Sequence, residues 1–258
     1  GQTILGMAIS YDNMEIVKLL LQNKNVLINS QTEDGETPLM IAAMENKEQI
    51  VKELLKLDSL KVNAQSKNGM TALHYAVLKG HKGVVLDLLN DPRTNVNLQN
   101  ENGRNVFQVA AFEGFVDILD EILKFHAFDI NQKDKSDFTA LGYAAYKGDQ
   151  DIIEALLGQE DIDINETNGP LKQTALVLAA DNNHPKAVEM LLVHPMIQVN
   201  AQGSDGLSAL NKAAYEGYPE VVEVLLKHRG INVNIQDDIG NTPLIDAIIH
   251  EHTAVVNQ

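Results

Sequence analysis

Cysteine is absent from this 258-residue chain, which excludes a disulfide framework and any thiolate metal site, so the fold must rest on packing alone. That suits a reducing, intracellular setting. Basic side chains are scarce beside acidic ones, 20 Lys and Arg against 36 Asp and Glu, giving a formal charge of -16. A bare phosphate backbone is gripped by clustered Lys and Arg, so nucleic acid is not expected as a partner. No apolar run approaches the length of a membrane span, and no charged-then-apolar leader or initiator Met opens the sequence, so neither membrane insertion nor a resident signal is expected. Glycine-rich phosphate loops, nucleophile elbows and zinc-protease helices are missing too. The chain therefore reads as a non-enzyme with no cofactor and no metal. What it does have is 44% hydrophobic residues, ample for a core.

Those residues follow a register. A Thr or a similar residue recurs at Thr3, Thr37, Thr71, Asn105, Thr139, Thr174, Ser208 and Thr242, in steps of 34 with a single 35. Independently, an apolar-Asn pair recurs at Ile28-Asn29, Val62-Asn63, Val96-Asn97, Ile130-Asn131, Ile164-Asn165, Val199-Asn200 and Val233-Asn234. Two unrelated markers keeping one period identify a repeat protein. Two residues after each Thr position stands Leu or Phe, from Leu5 to Leu244, and three later an Ala in every unit, from Ala8 to Ala247. That spacing puts both on one helical face. An unvarying Ala marks a helix closely approached by its neighbour.

Thr37-Pro38 and Thr242-Pro243 read as an N-cap followed by first-turn Pro. The first helix stops nine residues after the Thr position, at Asn46, Gly80, Gly114, Gly148, Asn183 and Gly217, types that tolerate left-handed backbone. A second helix follows, with stripes such as Ile16, Val17, Leu20, Leu21 and Val221, Val222, Leu225, Leu226. Turn glycines Gly35, Gly69, Gly103, Gly206 and Gly240 separate the units, Gly1 fits the same slot, and Asp137 and Lys172 replace the glycine in two of them. Each unit is expected to be a turn plus two antiparallel helices.

The segments DGETPLMIAA at 34–43, NGMTALHYAV at 68–77 and IGNTPLIDAI at 239–248 resemble the ankyrin repeat, and the likeness covers essentially the whole chain. It implies an all-α ankyrin-repeat solenoid forming a single domain over 1–258, with repeats at 1–31, 32–65, 66–99, 100–133, 134–167, 168–202, 203–236 and a truncated 237–258. The family period is about 33, so the added residue is expected after the second helix, in stretches such as 90–97. The 35-residue unit carries its extra residue within 166–172, either as a specificity element or as tolerated surface variation. Ile248, Val255 and Val256 look uncapped at the end of the sequence, as in a piece of a longer protein.

Other chemistry is weak. Asp161, Asp163 and Asn165 resemble a calcium loop, but Glu166 stands where Gly is needed and Lys172 where a bidentate Glu belongs, so a solvated turn is expected. His250 and His252 are two apart, which on a helix points them away from each other. Asn165-Glu166-Thr167 fits a glycosylation sequon, yet its Asn is the recurring structural one. The family resemblance implies that His74 ties turns together and that Asn63 or Asn97 are candidates for hydroxylation.

The resemblance also implies a partner surface, the concave side made of turn tips and first helices, with contacts just before the Thr position and seven and eight residues after it. Those positions hold Met70, Arg104, Phe138 and Leu207 before it, and Leu78, Lys79, Phe112, Tyr146, Lys147 and Tyr215 after it. The buried pattern does not need these residues, and such types dominate binding hot spots. Glu33, Asp34, Glu36 and Glu45 open that surface, Asp237 and Asp238 close it, and Lys67, Lys79, Arg104, Lys135 and Lys147 occupy its middle. The expected partner is a protein or peptide segment with apolar anchors and some acidic residues, crossing units three to five. The chain is expected to be a cytoplasmic monomer. The alternative is a regulatory or targeting segment of a longer enzyme, channel or microbial effector, the last acting in host cytosol.

Overall fold

Each first helix begins where a short hydroxyl or carboxamide side chain accepts a hydrogen bond from the backbone three residues on. Thr3, Thr37, Thr71, Asn105, Thr139, Thr174, Ser208 and Thr242 are all N-caps of this kind, each contributing about 1 kcal/mol. The computed structural model describes residues 3–125 and 128–258; Gly1, assigned above to a turn, lies outside them. The described residues contain sixteen helices and no strand, only two isolated bridges.

The chain divides into two compact units, Gly1–Phe128 and Asp129–Gln258. In the first, α1 (Ile4–Ser10), α2 (Met14–Gln22), α3 (Pro38–Met44), α4 (Glu48–Leu55), α5 (Ala72–Leu78), α6 (Lys82–Leu89), α7 (Val106–Glu113) and α8 (Val116–Leu123) form two layers. Odd-numbered helices stack on odd and even on even, and each pair closes on itself. The second unit repeats the plan with α9 (Ala140–Lys147), α10 (Gln150–Leu157), α11 (Ala175–Asp181), α12 (Pro185–Leu192), α13 (Ala209–Glu216), α14 (Pro219–Leu226), α15 (Pro243–Ile249) and α16 (Thr253–Val256). The fold is therefore the all-α repeat expected.

The core lies between the layers of each unit. All eight Ala residues from Ala8 to Ala247 are buried, as are Leu39, Leu73, Phe107, Leu141, Leu176 and Leu210. Emptying one such Leu to Ala costs about 2–5 kcal/mol. Two expectations fail at the edges of the units. Ile16 is exposed because α2, packed on α1, has a neighbour in its own layer on one side only, α4, and Val255 is buried although Ile248 and Val256 are not.

Helix ends use left-handed backbone at Asn46, Gly80, Gly114, Gly148, Asn183 and Gly217, and also at Asp12 and Glu251. Asp137 (φ 65°) and Lys172 (φ 53°) adopt it in the turns without being glycine. Between neighbouring repeats the recurring Asn clips the next loop twice: Asn63 donates to the Arg93 carbonyl (2.7 Å) and accepts from the Asn95 N–H (2.9 Å). Asn29, Asn131, Asn165 and Asn200 do the same.

The 35-residue unit repairs a missing group. In several repeats the third residue of the first helix sends its side chain back to the cap N–H: the Met40 sulfur, His74 Nδ1, Gln108 Oε1 and Asn211 Oδ1. Gly142 has nothing to send. Asn168, buried in the longer turn, takes over: its Oδ1 accepts from Thr139 N–H at 2.8 Å and from the Thr139 hydroxyl at 2.9 Å. A Cβ on Gly142 would collide with that oxygen, so the glycine and the longer turn fit only together.

Candidate functional site

In the first unit, two neighbouring repeats enclose a depression of about 250 Å³. Met70, Tyr75 and Val109 make its buried floor, and Leu78 and Phe112 its half-buried walls. Asn68, Asn100, Asn102, Glu101, Glu113 and Arg104 form the rim. Four residues singled out from the sequence, Met70, Leu78, Arg104 and Phe112, thus line one space. The Arg104 guanidinium lies 4.2 Å above the Phe112 ring, a cation–π contact that presents one charge beside one apolar wall.

The turn carrying Arg104 is fixed from below. Asn100 receives the Arg104 N–H on its Oδ1 (3.1 Å) and donates its own backbone N–H to the Arg104 carbonyl (2.9 Å). His74 Nδ1 accepts from Thr71 N–H, so Nε2 carries the proton and donates to that same carbonyl at 3.2 Å. Burial pushes the His74 pKa down from 6.5 to about 4, keeping the ring neutral at physiological pH. Tyr75 completes the floor, its hydroxyl 3.4 Å from Ser66 Oγ and burial raising its pKa.

One expectation needs correction here. Met70 does not stand on the surface; it is 6% exposed, turned inward so that its sulfur accepts from Asn100 Nδ2 at 3.6 Å. Gln173, also placed just before a cap, is buried as well. Lys79, at the end of α5, is exposed.

In the second unit the corresponding residues are held by other contacts. Phe138 stacks on Tyr143 (4.8 Å between centroids), and the Tyr143 hydroxyl donates to Asp134 at 2.8 Å, tying the turn to α9. Leu207 is half-buried in its turn. Tyr146 and Tyr215 are 50% and 43% exposed, and Lys147 is exposed beside Tyr146. Three lysines on this side are paired with carboxylates. Lys133 reaches Glu166 (2.7 Å) and Asp137 (3.6 Å), Lys172 pairs with Asp137, and Lys212 joins Asp205 (3.0 Å) to Asp181 (3.5 Å). Burial opposes the Lys212 charge, but its two carboxylates outweigh it and hold the pKa above the ordinary lysine value.

A set of histidine clasps lies outside the residues singled out from the sequence. His81, His184 and His252 each donate Nε2–H to the carbonyl of the residue seven after the previous cap, Met44, Tyr146 and Tyr215, at 3.1, 3.0 and 2.8 Å. All three stand ten residues after their own cap, and that shared register was the available signal. His250 and His252 do not share a helix: His250 caps the end of α15 and His252 the start of α16, with rings 6.0 Å apart. Among the described residues no group of three or more His, Asp or Glu is set to hold a metal, and no helix is long and apolar enough to cross a membrane.

Comparison with known families matches the ankyrin-repeat model (three copies) over residues 5–100, 83–168, 160–237 and 176–258. Among solved structures the chain is similar to the human ASB11 ankyrin repeat domain, with a TM-score of 0.73 and 22% identity over 86% of this chain and 97% of that one. It is also similar to the ankyrin repeat domain of Bcl-3, a member of the IkappaB protein family, with a TM-score of 0.78 and 25% identity over 88% of this chain and 100% of that one. Comparison with curated proteins gives no match.

Proposed function

The chain belongs to the ankyrin-repeat family, and from that premise we propose that it holds a protein or peptide partner on the concave face of turn tips and first helices. Repeats of this family generally serve protein–protein interaction. The observation that carries the reading is the depression around Phe112: side chains that the helix pairs do not need for packing converge there with a guanidinium, three carboxamides and a buried apolar floor. Its volume of about 250 Å³ falls below the ~300–1,000 Å³ typical of small-molecule sites. It suits a side chain of a larger partner. Tyr146 and Tyr215, amphipathic and exposed in the second unit, are contacts of the same kind.

The reading includes a monomer without catalytic activity of its own, working in the cytoplasm, in keeping with a cysteine-free sequence. Its test is a pulldown with residues 1–258 as bait. Phe112→Ala with Tyr146→Ala is expected to reduce capture at least tenfold, whereas Glu154→Ala on α10 leaves it unchanged. Equal losses from both would remove the site assignment.

A further inference from the structure

Two positions of the repeat carry a pattern of their own. Four residues before the cap, on the turn tip, and eight after it, at the end of the first helix, stand Glu33 and Glu45, then Lys67 and Lys79, then Glu101 and Glu113, then Lys135 and Lys147. Within each repeat the two signs agree, and from each repeat to the next they reverse. Simple solubility calls for charge but sets no such order.

In the first unit these groups frame the depression. Asn68 and Leu78, the chain neighbours of Lys67 and Lys79, line one wall, and Glu101 and Glu113 themselves line the other. Lys67, Lys79, Glu101 and Glu113 are exposed, and none of the four forms an ion pair. Lys52, Lys56 and Lys124, at the second helices, instead bond to carboxylates of their own helices at 2.5, 3.0 and 2.6 Å. Two exposed lysines next to one wall and two glutamates on the other thus flank the same apolar pit with their charges still available.

Resting on the proposed binding role, we infer that the partner is an extended, left-handed polyproline-type segment that lays two of its three side-chain rows on the surface, one row alternating base, acid, base every three residues and the other filling the pit with an apolar side chain between acid and base. The frame follows from spacing. Stacked helices lie about 8–10 Å apart. A polyproline-type chain rises about 3.1 Å per residue with three residues per turn, so side chains three apart share one face about 9 Å apart. A β-strand does not meet this step, because its same-face residues recur at about 6.6 or 13 Å. An α-helix meets it with seven residues, about 10.5 Å, but its backbone is already satisfied. The rim, by contrast, offers the exposed Asn102 carboxamide and the Asn68 amide N–H groups, groups suited to an open main chain.

The test is selection of a displayed library of random dodecapeptides on the full chain, followed by fluorescence anisotropy of the selected peptides. The expected consensus has a base, an acid and a base at three-residue spacing with an apolar residue between. Lys67→Glu with Lys79→Glu is expected to weaken those peptides at least tenfold with an unchanged thermal midpoint, since neither lysine has a partner to lose. Selection of a seven-residue helical frame, of peptides indifferent to the charge reversal, or of nothing overturns the inference. Peptides of another frame that still lose binding with Phe112→Ala leave the broader reading standing; peptides indifferent to Phe112→Ala sink that reading as well.

Discussion

Lysines on the turns and first helices of the two units stand at different repeat positions and are used differently. In the first, Lys67 and Lys79 stand exposed without ion pairs beside an open apolar depression. In the second, Lys133, Lys172 and Lys212 are drawn into carboxylate networks, and Phe138 stacks on Tyr143. Cations already matched within the chain hold turns to helices. Unmatched cations add little to the fold. The contrast separates two roles that composition alone merges.

The largest expected effect concerns proton binding. In the unfolded chain His74 titrates near its ordinary 6.5, but folded only near 4. Between those values the unfolded state binds more protons, so the stability present above pH 6.5 is lost as pH falls towards 4 and levels off below. The loss is about 3 kcal/mol, read by urea unfolding at a series of pH values, and His74→Gln is expected to abolish it. Asp246 in the second unit has the opposite sign. Burial raises its pKa, so its ionised form costs stability that returns as acid protonates it. Hydrogen exchange resolved by unit is expected to show the first unit loosening earlier on acidification; equal loosening would break the contrast.

Next in size is the borrowed cap. Asn168→Ala leaves the buried Thr139 N–H without its partner and is expected to cost about 2 kcal/mol. Adding Gly142→Gln, the residue type that serves in the fourth repeat, is expected to recover about half; a double-mutant cycle with no coupling would refute the substitution of one group by the other. Third, Lys212→Met strands two carboxylates and is expected to lower stability by about 1 kcal/mol. Loss of a lysine without an ion pair in the first unit, Lys67→Met, is expected to stay within about 0.5 kcal/mol. Similar losses from the two lysine variants, measured as urea midpoints, would erase the distinction between matched and unmatched cations.

The architecture was legible because the repeat multiplies weak signals. One capping residue is a poor helix marker, but eight in one register, each followed by Leu or Phe and Ala, leave no other assignment. Left-handed backbone at Asn46 and Asn183 followed from their alignment with glycines, and Asp137 and Lys172 were found as departures from it. What escaped depends on directions that spacing does not encode. Met70 and Arg104 share a repeat position, yet one turns into the core and the other lies over Phe112. Asn168 was read as part of a variable turn because its partner, Gly142, is known only by a missing side chain. The alternation of charge needed two columns read together, whereas each charge read singly suggests only a basic middle.

The asparagine clips make the repeat a cassette. Asn29 and Asn63 hold the next loop by one side chain each, reaching residues 30 and 32 further on. A splice that joins two repeats at equivalent residues therefore preserves every such link, and the chain can be shortened or lengthened by whole modules without redesigning a seam. Gene duplication and unequal exchange need conserve little more than that count.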